Sequence, residues 1–186
     1  LGFGRAAIFP EGGRIDLQAP SSGKEKEMSY VWGAMAGVLP KRTVFALRMK
    51  SDIKYTQENP GGLKTWEKFC VAPGTFCGIV MLFSTQTAEP LAIINDGVIQ
   101  HMRVAATAAV AAKYLARQDC QILGIIGSGG MARTHSAAFC AVRPIKQIQV
   151  FSPNPKHRSE FAEEMSRKLG VEAIPVDTPE AAVKRA

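Results

Sequence analysis

The segment Ile125-Ile126-Gly127-Ser128-Gly129-Gly130-Met131-Ala132 constrains this chain more than any other. It has the form G-x-G-x-x-A and lies between a short apolar, β-branched run and a stretch of helical composition. Each small residue answers a geometric demand: Gly127 permits the tight turn out of the strand, Gly129 lets a phosphate approach bare backbone, and Ala132 lets the helix pack close to the strand. The helix that begins here would aim free N–H groups and the positive end of its dipole at an anion. A lone match of this form carries little weight, but a strand before it and a helix after it supply the required context. A dinucleotide-binding βαβ unit is therefore expected over about residues 120–176. Gly127, Ser128, Gly129, Gly130 and Met131 would surround the phosphates.

The pattern around the loop agrees. Ile122–Ile126 reads as a short strand, Met131–Val142 as a helix, Ile148–Phe151 as a second strand, Lys156–Leu169 as an amphipathic helix and Val171–Val176 as a third strand. Gly170 stands where a left-handed C-terminal glycine belongs. Asp177 and Glu180, with Pro179 between them, form a helix start signal, and the helix would run to Ala186. Strands alternating with helices in this way form a parallel sheet.

The end of the second strand bears on which dinucleotide would fit. Binders of NAD usually carry an acidic residue there for the ribose hydroxyls. Here the chain reads Phe151-Ser152-Pro153-Asn154-Pro155-Lys156-His157-Arg158, without a carboxylate. Cations at a helix start oppose its dipole unless an anion joins them. Ser152, Asn154 and Arg158 thus suit a 2′-phosphate, and NADP(H) is expected in preference to NAD(H).

The first half reads differently. Residues 1–30 show little periodicity, and Gly23–Glu27 reads as a charged loop. A strand is expected at Thr43–Met49, with Lys50, Ser51 and Asp52 leaving it, then a turn at Asn59-Pro60-Gly61-Gly62. Two apolar runs, Gly78–Ser84 and Leu91–Ile94, flank a Pro-containing turn and predict a hairpin. His101–Arg117 contains seven alanines and neither Gly nor Pro, which predicts a long helix. The expected organisation is α/β: a strand-rich substrate-binding and dimerisation domain over 1–118, then the first half of a dinucleotide-binding domain over 119–186.

Composition narrows the partners. The chain has 186 residues and a formal net charge of +7. The basic residues are scattered, without interleaved aromatics, so a phosphorylated or carboxylate ligand fits better than nucleic acid. No apolar run approaches the ~18 residues of a membrane span. The four cysteines match no metal spacing and the three histidines add no ligand cluster. Reduced core thiols in a cytoplasmic protein are expected.

Arg103 stands near the start of the Ala-rich helix, where a cation calls for an anion. It could grip a substrate carboxylate in a bidentate fork, or pair with Asp96, seven residues earlier. The segment Met102-Arg103-Val104-Ala105-Ala106-Thr107, continuing through Ala111-Ala112-Lys113-Tyr114-Leu115-Ala116-Arg117 to the glycine loop, resembles the signature of the ornithine cyclodeaminase and mu-crystallin family. Glu89-Pro90, Ile93-Ile94-Asn95-Asp96-Gly97 and the Asn59–Gly62 turn fit the same resemblance, which spans about residues 40–186 and is specific over 78–135.

The resemblance implies an NAD(P)-dependent enzyme acting on a small amino or imino acid: an ornithine cyclodeaminase, an alanine dehydrogenase or a ketimine reductase. It also implies a homodimer and a Rossmann-type cofactor domain. Arg103 falls at the family's carboxylate-binding arginine. The family's strand lysine aligns with Arg48, while Lys50 lies two residues on and so on the same strand face. Arg48 could hold a carboxylate but could not exchange protons near neutral pH, whereas Lys50 could. Val104 stands where the family usually has Thr. The family's catalytic aspartate and the rest of its cofactor sheet would lie beyond residue 186, so the chain reads as an incomplete, inactive piece of an enzyme. The alternative is a non-catalytic NADP(H)-binding protein of the mu-crystallin type.

Overall fold

Antiparallel pairing organises the first half. The computed structural model describes residues 14–20, 28–58, 62, 64–69 and 78–186. Within it are β1 (Arg14–Pro20), β2 (Met28–Leu39), β3 (Val44–Glu58), β4 (Lys64–Phe69), β5 (Gly78–Ser84) and β6 (Pro90–Asn95). They form one sheet in the order β1-β2-β3-β5-β6, with β4 also paired to β3. The expected hairpin is β5–β6, with Met81 opposite Ile93. Its turn is closed by Ser84, whose N–H donates to the Glu89 carbonyl at 2.9 Å and whose hydroxyl accepts from the Gln86 and Thr87 N–H groups.

Two expectations for this half need correction. The strand at Thr43–Met49 does not end there: β3 runs to Glu58, so Lys50, Ser51 and Asp52 belong to a strand and not to a loop. Its polar second half is held by pairing with β2 from Ser51–Trp32 to Tyr55–Met28. β1 and β2 answer to no sequence expectation. β2 carries Gly33 and Gly37, which weaken any local strand signal. The Gly23–Glu27 loop and residues 59–61 of the expected turn lie outside the described residues.

The second half follows its pattern closely. α1 (Gly97–Leu115) is followed by β7 (Ile122–Ile126), α2 (Gly130–Val142), β8 (Gln147–Phe151), α3 (Pro155–Leu169), β9 (Glu172–Pro175) and α4 (Pro179–Val183). The three strands are parallel, in the order β7-β8-β9. Their core joins Ile125, Ile148 and Val150 to Phe161, Ala162 and Met165 of α3. Gly170 ends α3 with φ 66°, as the C-terminal glycine was expected to do. The start of α4 differs. Thr178 is its cap and accepts from the Ala181 N–H, while Asp177 is drawn away to Arg158, and the helix ends at Val183. Among the described residues no helix is long and apolar enough to cross a membrane.

By backbone packing the chain divides into two compact units, Leu1–Gln57 with Lys64–Ile99, and Glu58–Leu63 with Gln100–Ala186. That division falls inside α1, upstream of the boundary at 118 that composition suggests. Arg143 explains why the helix end groups with the second unit. Its guanidinium donates to the carbonyls of Ala112 (2.7 Å), Lys113 (2.7 Å), Ala116 (2.8 Å) and Arg117 (2.8 Å). These carbonyls lie in the last turn of α1 and just beyond it, where a cation also opposes the negative dipole end; that of Ala112 accepts from the Ala116 N–H as well. Arg143→Met should therefore lower stability by about 1–3 kcal/mol, the range for charged hydrogen bonds. Chemical denaturation followed by far-UV circular dichroism measures it, and a change below ~0.5 kcal/mol would remove the clamp from the account.

Candidate functional site

The glycine loop has the geometry its sequence demands. Gly127 has φ +101°, open to glycine and strained for other residues, and its N–H donates to the Phe151 carbonyl at 2.7 Å. That bond ties the loop to the end of β8. Gly129 caps α2 with extended backbone, no side chain caps the helix, and its first turn has no acidic residue. Side chains built at Gly127 or Gly129 would meet nothing within 4 Å, so the space before the helix is open. Ala132 packs against the core, and Met131 turns its carbonyl to His135 Nδ1 at 2.7 Å.

A residue outside the motif braces the loop. Arg133 donates from Nη1 to the Ser128 carbonyl at 2.7 Å and from Nε to Glu164 at 2.6 Å, and it lies over the Phe161 ring. Drawing the Ser128 carbonyl toward α3 leaves the loop's donors for a ligand. The hydrogen bond from Lys168, with that from Arg133, holds the Glu164 carboxyl below its ordinary range. Glu164 therefore stays anionic at neutral pH, and the stability it contributes is lost only as pH falls through that lowered value.

At the end of β8 the three residues expected to receive a 2′-phosphate have structural partners as well. Asn154 caps α3, accepting from the Lys156 and His157 N–H groups at 3.0 and 3.3 Å. Ser152 is buried, and its carbonyl accepts from Arg158 at 3.1 Å. Arg158 lies over the Phe151 ring and pairs with Asp177, whose own side chain is 90% exposed. The carboxylate missing from the strand end in sequence is thus supplied from beyond β9.

In the first unit, Arg48 and Lys50 share a face of β3, as their alternation requires. Arg48 Nε donates to Asp96, immediately after β6, and the two side chains are only 13% and 1% exposed. Arg48 Nη2 and Asp96 Oδ1 are buried without hydrogen-bond partners, so the pair retains one donor and one acceptor. Lys50 stands opposite Gly33 on one side and Gly78 on the other. Gly78 has its own reason to be glycine, since a Cβ there would lie 2.0 Å from the Met49 carbonyl oxygen.

For Arg103 the expected position in the first turn needs correction. α1 begins at Gly97, so Arg103 lies in the second turn, beyond the reach of the helix N-terminus. Asp96, the alternative partner for its charge, is bound by Arg48. Arg103 is exposed, and its guanidinium has no partner among the described residues. The sequence reading overlooked Asp96 as Arg48's partner, along with Arg133 and Asp177. All three contacts are long-range and leave no local signal. Among the described residues no cluster of His, Cys, Asp or Glu could hold a metal. Cys120 and Cys140 are free thiols, and burial pushes the Cys140 thiol up. Cys70 and Cys77 lie outside the described residues.

A family model described as the ornithine cyclodeaminase/mu-crystallin family matches residues 53–186. The chain is 36% identical over 112 residues to a Δ(1)-pyrroline-2-carboxylate reductase of Bacillus cereus, an alignment covering 60% of this chain and 34% of that protein. The structure resembles that of Thermococcus litoralis Δ(1)-pyrroline-2-carboxylate reductase, solved with NADH and L-proline, with a TM-score of 0.68 and 31% identity over 94% of this chain and 50% of the other. A lysine cyclodeaminase shares the fold, with a TM-score of 0.64 at 24% identity over 88% of this chain and 42% of its own. The chain thus spans about a third of the curated relative and about half of the solved structures.

The buried pair in the sheet makes a direct prediction. Asp96→Ala would strand the Arg48 charge and should cost about 3–5 kcal/mol, whereas the double change Arg48→Met with Asp96→Leu should cost markedly less. Denaturation of the single and double variants measures the coupling, and strictly additive losses would show that the two side chains act independently.

Proposed function

Because the chain belongs to the ornithine cyclodeaminase/mu-crystallin family, we propose that it binds a nicotinamide dinucleotide and serves an oxidoreductase or cyclodeaminase acting on a small amino or imino acid. The observation that carries this reading is the open, uncapped start of α2 behind Gly127 and Gly129. A glycine backbone with no atom within 4 Å of either would-be Cβ fits a pyrophosphate, and unpaired N–H groups fit its charge. The relatives' names supply the substrate class, since they are pyrroline-2-carboxylate reductases and a cyclodeaminase.

The chemistry divides as follows. When bound, the nicotinamide supplies or accepts the hydride exchanged with the substrate's α-carbon. Arg103, whose guanidinium has no partner among the described residues, binds the substrate carboxylate through its planar fork. Arg48, held by Asp96, keeps an unpaired Nη2 donor and a positive charge that favour the substrate's anionic end. Lys50, between two glycines, can carry a proton, which an arginine cannot do near neutral pH.

NADP(H) is the preferred cofactor in this proposal. Ser152 and Arg158 would receive the 2′-phosphate, with Asp177 as the opposing charge that the phosphate must displace from Arg158. Fluorescence titration tests this. NADPH should bind more tightly than NADH, Arg158→Ala should weaken NADPH alone, Asp177→Asn should tighten it, and Gly129→Val should abolish both. Equal or tighter binding of NADH would sink the preference. For the substrate, Arg103→Lys in the full-length protein should lower kcat/KM about 30-fold or more with cofactor affinity unchanged. A loss under about threefold would assign Arg103 elsewhere.

A further inference from the structure

The glycine loop contains one glycine that its motif does not require. In G-x-G-x-x-A, Gly130 occupies a free position. It is also the first residue of α2, where glycine is a poorer helix former than almost any alternative. The structure supplies a reason. A Cβ at Gly130 would lie 3.0 Å from Cε1 of His101, 3.5 Å from Nδ1 and 3.8 Å from Nε2. Gly129 leaves space open, whereas Gly130 leaves space that an imidazole from α1 occupies.

The three ring atoms nearest that Cβ position are those of the polar edge, with Cε1 flanked by both nitrogens. Neither nitrogen has a hydrogen-bond partner among the described residues. An imidazole always carries at least one N–H donor, and two when protonated. An anion bonded to the first N–H groups of α2 at ~3 Å would lie within reach of that edge.

We infer that His101 is a binding residue for the pyrophosphate of the dinucleotide, completing from α1 the cradle that the glycine loop opens. The inference rests on the cofactor reading above and adds a side-chain donor to a site otherwise made of backbone. It also explains the paired glycines: Gly129 admits the phosphate and Gly130 admits the ring that holds it.

Binding experiments on the full chain separate this inference from the reading beneath it. NADH affinity is measured by fluorescence, with ADP-ribose, which has the pyrophosphate, and adenosine, which lacks it, as competitors. His101→Leu fills the space without a donor and should weaken NADH and ADP-ribose about tenfold, leaving adenosine and the melting temperature unchanged. His101→Gln restores a donor and should bind within about threefold of wild type. Should His101→Leu fail to fold, the wild-type protein still decides. The His101 Cε1–H resonance, assigned by its loss in His101→Gln, should shift on saturation with ADP-ribose and not with adenosine. Unchanged NADH affinity in a folded His101→Leu variant, or a resonance that ADP-ribose leaves in place, overturns the inference while Gly129→Val still abolishes binding. Absence of NADH binding by the wild-type protein overturns the cofactor reading and this inference together.

Discussion

Phe161 is the point at which the second unit's core and its loop meet. Its ring is fully buried against the sheet with Ile148, Val150 and Met165, while Arg133 lies over it and reaches on to the Ser128 carbonyl. The burial of one aromatic ring thus supports both the alignment of the strand ends and the direction of the loop's carbonyl. Burying such a side chain contributes roughly 1.5–3 kcal/mol. It also immobilises the ring, so the cation stacked on it is held in one place. A loop of bare glycine backbone has no side chains of its own at those positions to brace it. The brace must come from behind, and here it comes from Arg133 and Glu164.

The first unit solves a different problem. A charged pair inside an antiparallel sheet is costly unless its geometry is held. Here the sheet does the holding. β3, β5 and β6 place Arg48 opposite Val80, and Val80 opposite Ile94, two residues before Asp96. The Asp96 N–H donates to the Gly78 carbonyl at 3.1 Å, which fixes the carboxylate's backbone. Glycine at 78 also lets β3 come close, since a Cβ there would lie 2.0 Å from the Met49 carbonyl oxygen. The same residue therefore shapes the packing of the strands on both of its sides.

How legible each part was follows from the range of the forces that decide it. Helix periodicity, the Gly170 cap and the G-x-G-x-x-A spacing are local, and β7, α3 and the hairpin lie close to where residue patterns put them. The polar half of β3 has little local preference for a strand and exists because β2 pairs with it. β2 itself is interrupted by two glycines that weaken its signal. Thr178, not Asp177, caps α4 because Arg158, nineteen residues away, offers Asp177 a charge.

The amino-acid sequence by itself determined the parallel βαβαβ order, the glycine-rich turn before α2 and the candidate cations Arg48, Lys50, Arg103 and Arg158. Residue type and spacing set backbone freedom, helix period and charge, none of which needs a distant partner. Tertiary structure alone decided which of those cations are already engaged. It gave Arg48 to Asp96 and Arg158 to Asp177, left Arg103 without a partner among the described residues, and set His101 against Gly130. An ion pair forms where two side chains are brought within a few ångströms, and that distance is fixed by strand register and helix packing across tens of residues.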